Sequence, residues 1–186
     1  MLTSPPRAAL AALAALAIIA PAAPALADEI AFGSHDIVTT FFISKSDDKN
    51  HVDYGMRLDE NCAPVGDDPV FPYWREFEKA PPVRTHGLSL LDKIPYGISS
   101  QKTLKRGATG AEHVITLKQL PNPIYITTKK ETDGRCSALT RATVGGSMAQ
   151  LRSVFAKLAG FASVDYIDLF GADLTTGAAI TERIKK

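Results

Sequence analysis

Tryptophan, cysteine and histidine are scarce in this chain: there is one Trp, Trp74, with two Cys and four His in 186 residues. None of His35, His51, His86 and His113 stands at a His-x-Glu or His-x-x-x-His spacing, and no close cysteine pair supports a zinc site. No metal and no cofactor is therefore expected. Gly-x-Ser-x-Gly is missing, and Cys136 does not sit in a nucleophile motif beside a histidine. A hydrolase could still assemble its site in space from scattered polar residues, for instance His51 or His113 with two carboxylates. That is the alternative reading. An excess of charge is missing too, with 21 Lys+Arg against 20 Asp+Glu. Nucleic-acid binding asks for a basic excess on one face, so nucleic acid is not an expected partner.

Long apolar runs are confined to the start. Residues 1–7 carry one charge, Arg7; residues 8–20 are nearly all Ala, Leu and Ile; Ala25-Leu26-Ala27 then offers a small-x-small cleavage site before Asp28. This is the three-part pattern of a secretory signal, expected over residues 1–27. The run is shorter than the ~20 residues of a membrane span, although an uncleaved anchor is the other reading. Cleavage removes Arg7 and leaves basic and acidic residues equal in number at 20 each. The remainder, 28–186, is the length of a single domain with a sizeable core. It has no second run able to span a membrane, and its expected location is periplasmic or secreted. In such a compartment Cys62 and Cys136 are expected to form one disulfide, two separate thiols being the alternative.

What the chain does have is short alternating runs divided by turn residues. Residues 36–44 (DIVTTFFIS) are β-branched and aromatic. Across 51–59, Val52, Tyr54, Met56 and Leu58 alternate with Asp53, Gly55, Arg57 and Asp59, the period of a half-buried antiparallel strand. Further strands are expected over 70–78, 96–104, 112–120, 124–132, 135–144, 164–170 and 178–184. Residues 79–87 read as a loop around Pro81-Pro82, and 88–94 as two turns of helix. Asp133-Gly134 is a two-residue hairpin signal. Residues 148–158 fit strand or helix. Units of βα are absent, which disfavours a parallel doubly wound sheet. The expectation is an all-β, antiparallel sandwich or barrel of about eight to ten strands with at most one or two short helices.

The runs FFISKSDDKNHVDYGMRL, PVFPYWREFE, PYGI and VDYIDLFGADLTTGAAITERI together resemble an uncharacterised exported bacterial family, domain of unknown function 4833. The resemblance covers nearly all of the chain after the leader. It implies an exported single domain in which 148–158 is strand. It implies no catalytic residue, because the family has no established activity.

One stretch remains that suits binding. Tyr73, Trp74 and Arg75 are adjacent, with Tyr54 and His51 on the preceding strand and Tyr96 following. Aromatic faces stack on sugars, and a guanidinium reads carboxylate or phosphate. Neighbours on a strand point to opposite faces, so Trp74 in the core would leave Arg75 at the surface. The expectation is a groove lined by Arg75 and Tyr73, with Tyr96 delivered by the returning segment 81–96. The bland reading is that these rings fill the core and Arg75 stacks on one of them. The expected function is non-catalytic: an exported domain that is structural or that binds a small ligand, glycan or envelope protein.

Overall fold

The structure, a computed structural model, describes residues 37–45, 49–77, 83–160 and 163–186. The expected leader, its cleavage site and the Pro81-Pro82 loop lie outside the described residues. Eleven strands and one short helix are described: β1 (Ile37–Lys45), β2 (His51–Arg57), β3 (Val70–Glu76), β4 (Arg84–Gly87), α1 (Lys93–Tyr96), β5 (Ile98–Gly107), β6 (Gly110–Leu117), β7 (Ile124–Lys130), β8 (Cys136–Val144), β9 (Ser147–Ala159), β10 (Ser163–Asp173) and β11 (Ala179–Lys185). The all-β expectation holds, with one strand more than expected.

All eleven strands join one sheet, in the order β4-β3-β2-β1-β9-β8-β7-β6-β5, with β10 on β9 and β11 on β10. The sheet branches at β9. One edge of β9 runs along β10 from Ala149 to Ala159. The other edge is shared: β8 takes Ser147–Gln150, and β1 takes Val154–Ala156. Two wings, β1–β4 and β8–β5, thus hang from the same edge of one strand. The β1–β9 pairing is parallel, a departure from the antiparallel expectation.

The wings bury their inward faces in one cluster. Val52, Tyr54 and Met56 of β2 meet Phe41 and Ile43 of β1, and β6 and β7 add Ile115, Leu117, Ile124 and Ile126. Burial of such side chains is the main stabilising force. At the branch, Thr140 Oγ1 of β8 donates to Thr40 O of β1 at 2.9 Å. Thr40 is the extra residue of a bulge in β1, so its carbonyl is free of the β1–β2 ladder's regular register.

Cys62 and Cys136 are bonded, with Cα atoms 5.4 Å apart. The bond ties the β2–β3 connection to the start of β8, one wing to the other. Cys62 is wholly buried and has φ 60°. Its carbonyl accepts from Thr128 Oγ1 at 2.6 Å, and Lys130 Nζ donates to Glu60 O at 2.8 Å.

Several local expectations need correction. β4 falls where a loop was expected; Arg84-Thr85-His86-Gly87 has no apolar alternation and is held by backbone pairing to β3. The helix is a single turn, starting five residues later than expected and including Pro95. A proline is tolerated there because first-turn N–H groups have no intrahelical acceptor. Tyr96 closes that helix rather than opening a strand. The β7–β8 loop is five residues long rather than two, closed by Glu131 N–H to Arg135 O at 2.8 Å, with Gly134 at φ 85°. Residues 148–158 are strand, within β9.

Candidate functional site

β4 covers only part of the β3 edge. Its pairing runs from Tyr73↔Gly87 to Glu76↔Arg84, so the edge at Val70–Pro72 is left to other partners. Pro72 has no N–H to offer a further strand, as befits an edge. At Val70 the place of a strand is taken by one side chain from β5. Gln101 Oε1 accepts the Val70 N–H at 3.0 Å, and Gln101 Nε2 donates to Val70 O at 3.2 Å. This carboxamide joins the outer strand of one wing to an inner strand of the other.

Beside that link lies a groove of about 540 Å³, walled by Arg57, Asp68 and Phe71 on one side and by Lys93, Gly97–Gln101 and Lys118 on the other. Gly97 makes it possible. A Cβ at this position would stand 2.3 Å from Lys93 O, and the Lys118 Cε lies 3.2 Å from the same point. Lys118 N–H donates to Gly97 O at 2.9 Å, which holds the two walls in register. Arg57 lies over the Phe71 ring, 4.1 Å from its centroid. Among the described residues none of Arg57, Lys93 and Lys118 is ion-paired. A second depression, of about 460 Å³, lies around the β5–β6 turn. There Arg141 is bound to Glu112 at 2.8 Å and Lys129 to Glu131 at 3.0 Å, so two of its three lining cations, all but Lys105, are already partnered.

The six residues singled out in the sequence divide between the two faces of β2 and β3. Tyr54, Trp74 and Tyr96 are inward and buried. Tyr54 Oη donates to Tyr96 O at 2.6 Å, Trp74 meets Tyr96 edge-on at 5.6 Å, and Phe41 stacks on Tyr54 at 4.4 Å. Burial pushes the Tyr54 hydroxyl well above the usual tyrosine range, with Tyr96 adding to the shift. The structure thus does not place Tyr96 with Arg75. It arrives from α1 on the core side, because the chain returns beneath β3 rather than over it.

His51, Tyr73 and Arg75 lie on the outward face. Arg75 Nη1 pairs with Asp53 Oδ2 at 3.2 Å; the arginine is 47% exposed and the aspartate 3%. Asp53 Oδ1 has no hydrogen-bond partner among the described residues. Burial raises the Asp53 pKa, and Arg75 and His51 pull against it. Tyr73 is buried, its hydroxyl 3.1 Å from Thr39 Oγ1. Gly55 gives it room: a Cβ there would lie 3.0 Å from Phe71 Cζ and 3.2 Å from Tyr73 Cε1. His51 stacks on Phe42 at 4.4 Å and meets Phe77 edge-on at 5.2 Å. Phe71, which lines the groove, lies 5.8 Å from Tyr73. The outward strip therefore runs into the groove.

His113 occupies an inward position of β6, with Nδ1 3.0 Å from Thr103 Oγ1 and Nε2 3.3 Å from Gln101 Oε1. Its partners are neutral and it meets no carboxylate there. Among the described residues no group of three or more His, Cys, Asp or Glu is arranged to hold a metal ion, and no helix is long and apolar enough to cross a membrane.

Arg57, Lys93, Gln101 and Lys118 escaped the sequence reading. Arg57 was legible as polar on an alternating strand, but the other three come from separate segments, and only the fold unites them.

The family model described as domain of unknown function (DUF4833) matches residues 41–183. No curated protein and no solved structure matches the chain.

Proposed function

We propose, for a chain that belongs to the DUF4833 family, an exported, non-catalytic single domain that binds a small anionic ligand in the groove between β3 and β5. The observation that carries this is the set of three cations without ion-pair partners among the described residues, Arg57, Lys93 and Lys118, lining one groove with a single carboxylate, Asp68. A groove of several hundred Å³ is the size used for small molecules. Charge-assisted bonds from Arg and Lys are the strong means of holding carboxylate or phosphate. Arg57, stacked on Phe71, presents its guanidinium to the groove, and Arg75 and His51 on the outward strip offer further contacts to a longer glycan. Export is supported by the leader pattern of residues 1–27 and by the disulfide, since such bonds persist in oxidising compartments.

Calorimetric titration of the mature protein with glucose 6-phosphate, galacturonate and glucose tests the reading. The two charged sugars bind and glucose does not. Lys118→Glu weakens binding by about tenfold or more. Equal behaviour of charged and neutral sugars, or no loss in the variant, refutes the groove as an anion site.

A further inference from the structure

Leu90 and Leu91 are 84% and 64% exposed, the two most exposed large apolar side chains among the described residues, and Ile94 close by is 40% exposed. Leu90 and Leu91 project from one tight turn that leads into α1, and Ile94 lies in α1 itself. The turn is rigid. Ser89 N–H and Ser89 Oγ both donate to Asp92 Oδ2, at 3.1 and 2.6 Å, and Asp92 N–H donates back to Ser89 Oγ at 3.2 Å. Lys93 N–H and Ile94 N–H close onto Ser89 O and Leu91 O, each at 3.1 Å. Buried Leu88 before it and buried Pro95 and Tyr96 after it anchor the turn in the core. The leucines are therefore held outward by a braced structure. Lys93 belongs to both features: it opens α1 directly after the turn, between Leu91 and Ile94, and it lines the groove with Arg57 and Lys118.

We infer that this turn docks on a bilayer containing anionic phospholipid, Leu90 and Leu91 entering the acyl boundary while the groove takes a headgroup phosphate. The chemistry is complementary on both counts. Apolar side chains flanked by Lys and Arg are what an anionic membrane interface binds. A protein partner would need an apolar pocket ringed by acidic groups. A free anion would leave the leucines in water, where adjacent exposed apolar side chains are uncommon without a use. Two carboxylates lie nearby, Asp68 in the groove wall and Asp92 in the turn; Asp92 is turned back onto Ser89 by the bonds above. The headgroup part of this inference rests on the reading of the groove as an anion site, and the insertion of the leucines does not.

The test is co-sedimentation of the mature protein with vesicles of phosphatidylcholine alone, or with about a third replaced by phosphatidylglycerol, beside a titration with inorganic phosphate. The protein is expected to sediment only with the anionic vesicles, and less so in high salt. Leu90→Ser/Leu91→Ser should weaken vesicle binding by about tenfold or more while leaving phosphate binding and thermal stability unchanged. Lys93→Glu/Lys118→Glu should weaken both. Phosphate binding without vesicle binding overturns membrane docking and leaves the groove reading intact. Vesicle binding that survives the lysine changes, with no phosphate bound, overturns the groove reading and the headgroup contact together. Retained vesicle binding in the leucine variant overturns insertion of the turn.

Discussion

The carboxamide of Gln101 settles the state of the buried imidazole beside it. Gln101 Oε1 can only accept and already takes the Val70 N–H, so His113 Nε2 is the donor at that oxygen. In the neutral ring the proton is therefore on Nε2, and Nδ1 accepts from Thr103 Oγ1. Burial lowers its pKa below the ordinary 6.5, and Arg106 lowers it further. The neutral form therefore contributes stability fully above about pH 6.5, and that stability is lost as the pH falls from there through the folded-state value. Thermal unfolding followed from neutral to mildly acidic pH is expected to show the loss, and His113→Gln should flatten the profile in that window. Arg75 is a second residue whose surface position misleads. It is half exposed, yet it is the ion-pair partner of the buried Asp53. Truncation leaves a buried carboxylate oxygen unpaired, so Arg75→Ala is expected to cost about 1–3 kcal/mol in denaturant unfolding. Arg75→Ala/Asp53→Asn should recover part of it, because no charge then remains buried.

Among the elements, α1 is closely constrained by the residue after it. Any side chain at 97 runs into the Lys93 carbonyl, and backbone cannot yield as a flexible side chain can. Gly97→Ala is expected to displace the helical turn, lower stability by about 1–3 kcal/mol and weaken anion binding. A melt combined with the phosphate titration checks both. Legibility in the sequence followed the same local logic. β2 was readable because its alternate residues Val52, Tyr54 and Met56 all enter the core. β4 was not, because its four residues contribute backbone pairing rather than an apolar face. β9 was ambiguous because the register skips Arg152: the buried residues run Ala149, Leu151 and then Val154, Ala156, so the two-residue period is broken midway along the strand. The opposition of Trp74 and Arg75 was legible from strand geometry alone. The side from which Tyr96 returns was not, since it depends on a connection partly made of short, irregular structure.

On the scale of the whole molecule, the disulfide and the shared edge of β9 hold the wings together. The bond spans 74 residues, and in the chain-entropy description a closure of that length is worth about 4 kcal/mol. Reduction is expected to lower the melting temperature substantially, and Cys62→Ser/Cys136→Ser should reproduce the shift; an unchanged melt in both would show that the wings are held by the branch and core alone. β9 also sets an order of events in time. Ile43 of the first strand finds its parallel partner at Val154, 111 positions later, and such distant pairings form slowly. A ribosome delivers the chain from its beginning at about 5–20 residues per second. The first wing is therefore complete as polypeptide, yet without its neighbour, for several seconds before β9 emerges. During that interval the stretch of β1 from Ile43 to Lys45 waits as an open strand edge for the residues that will cover it.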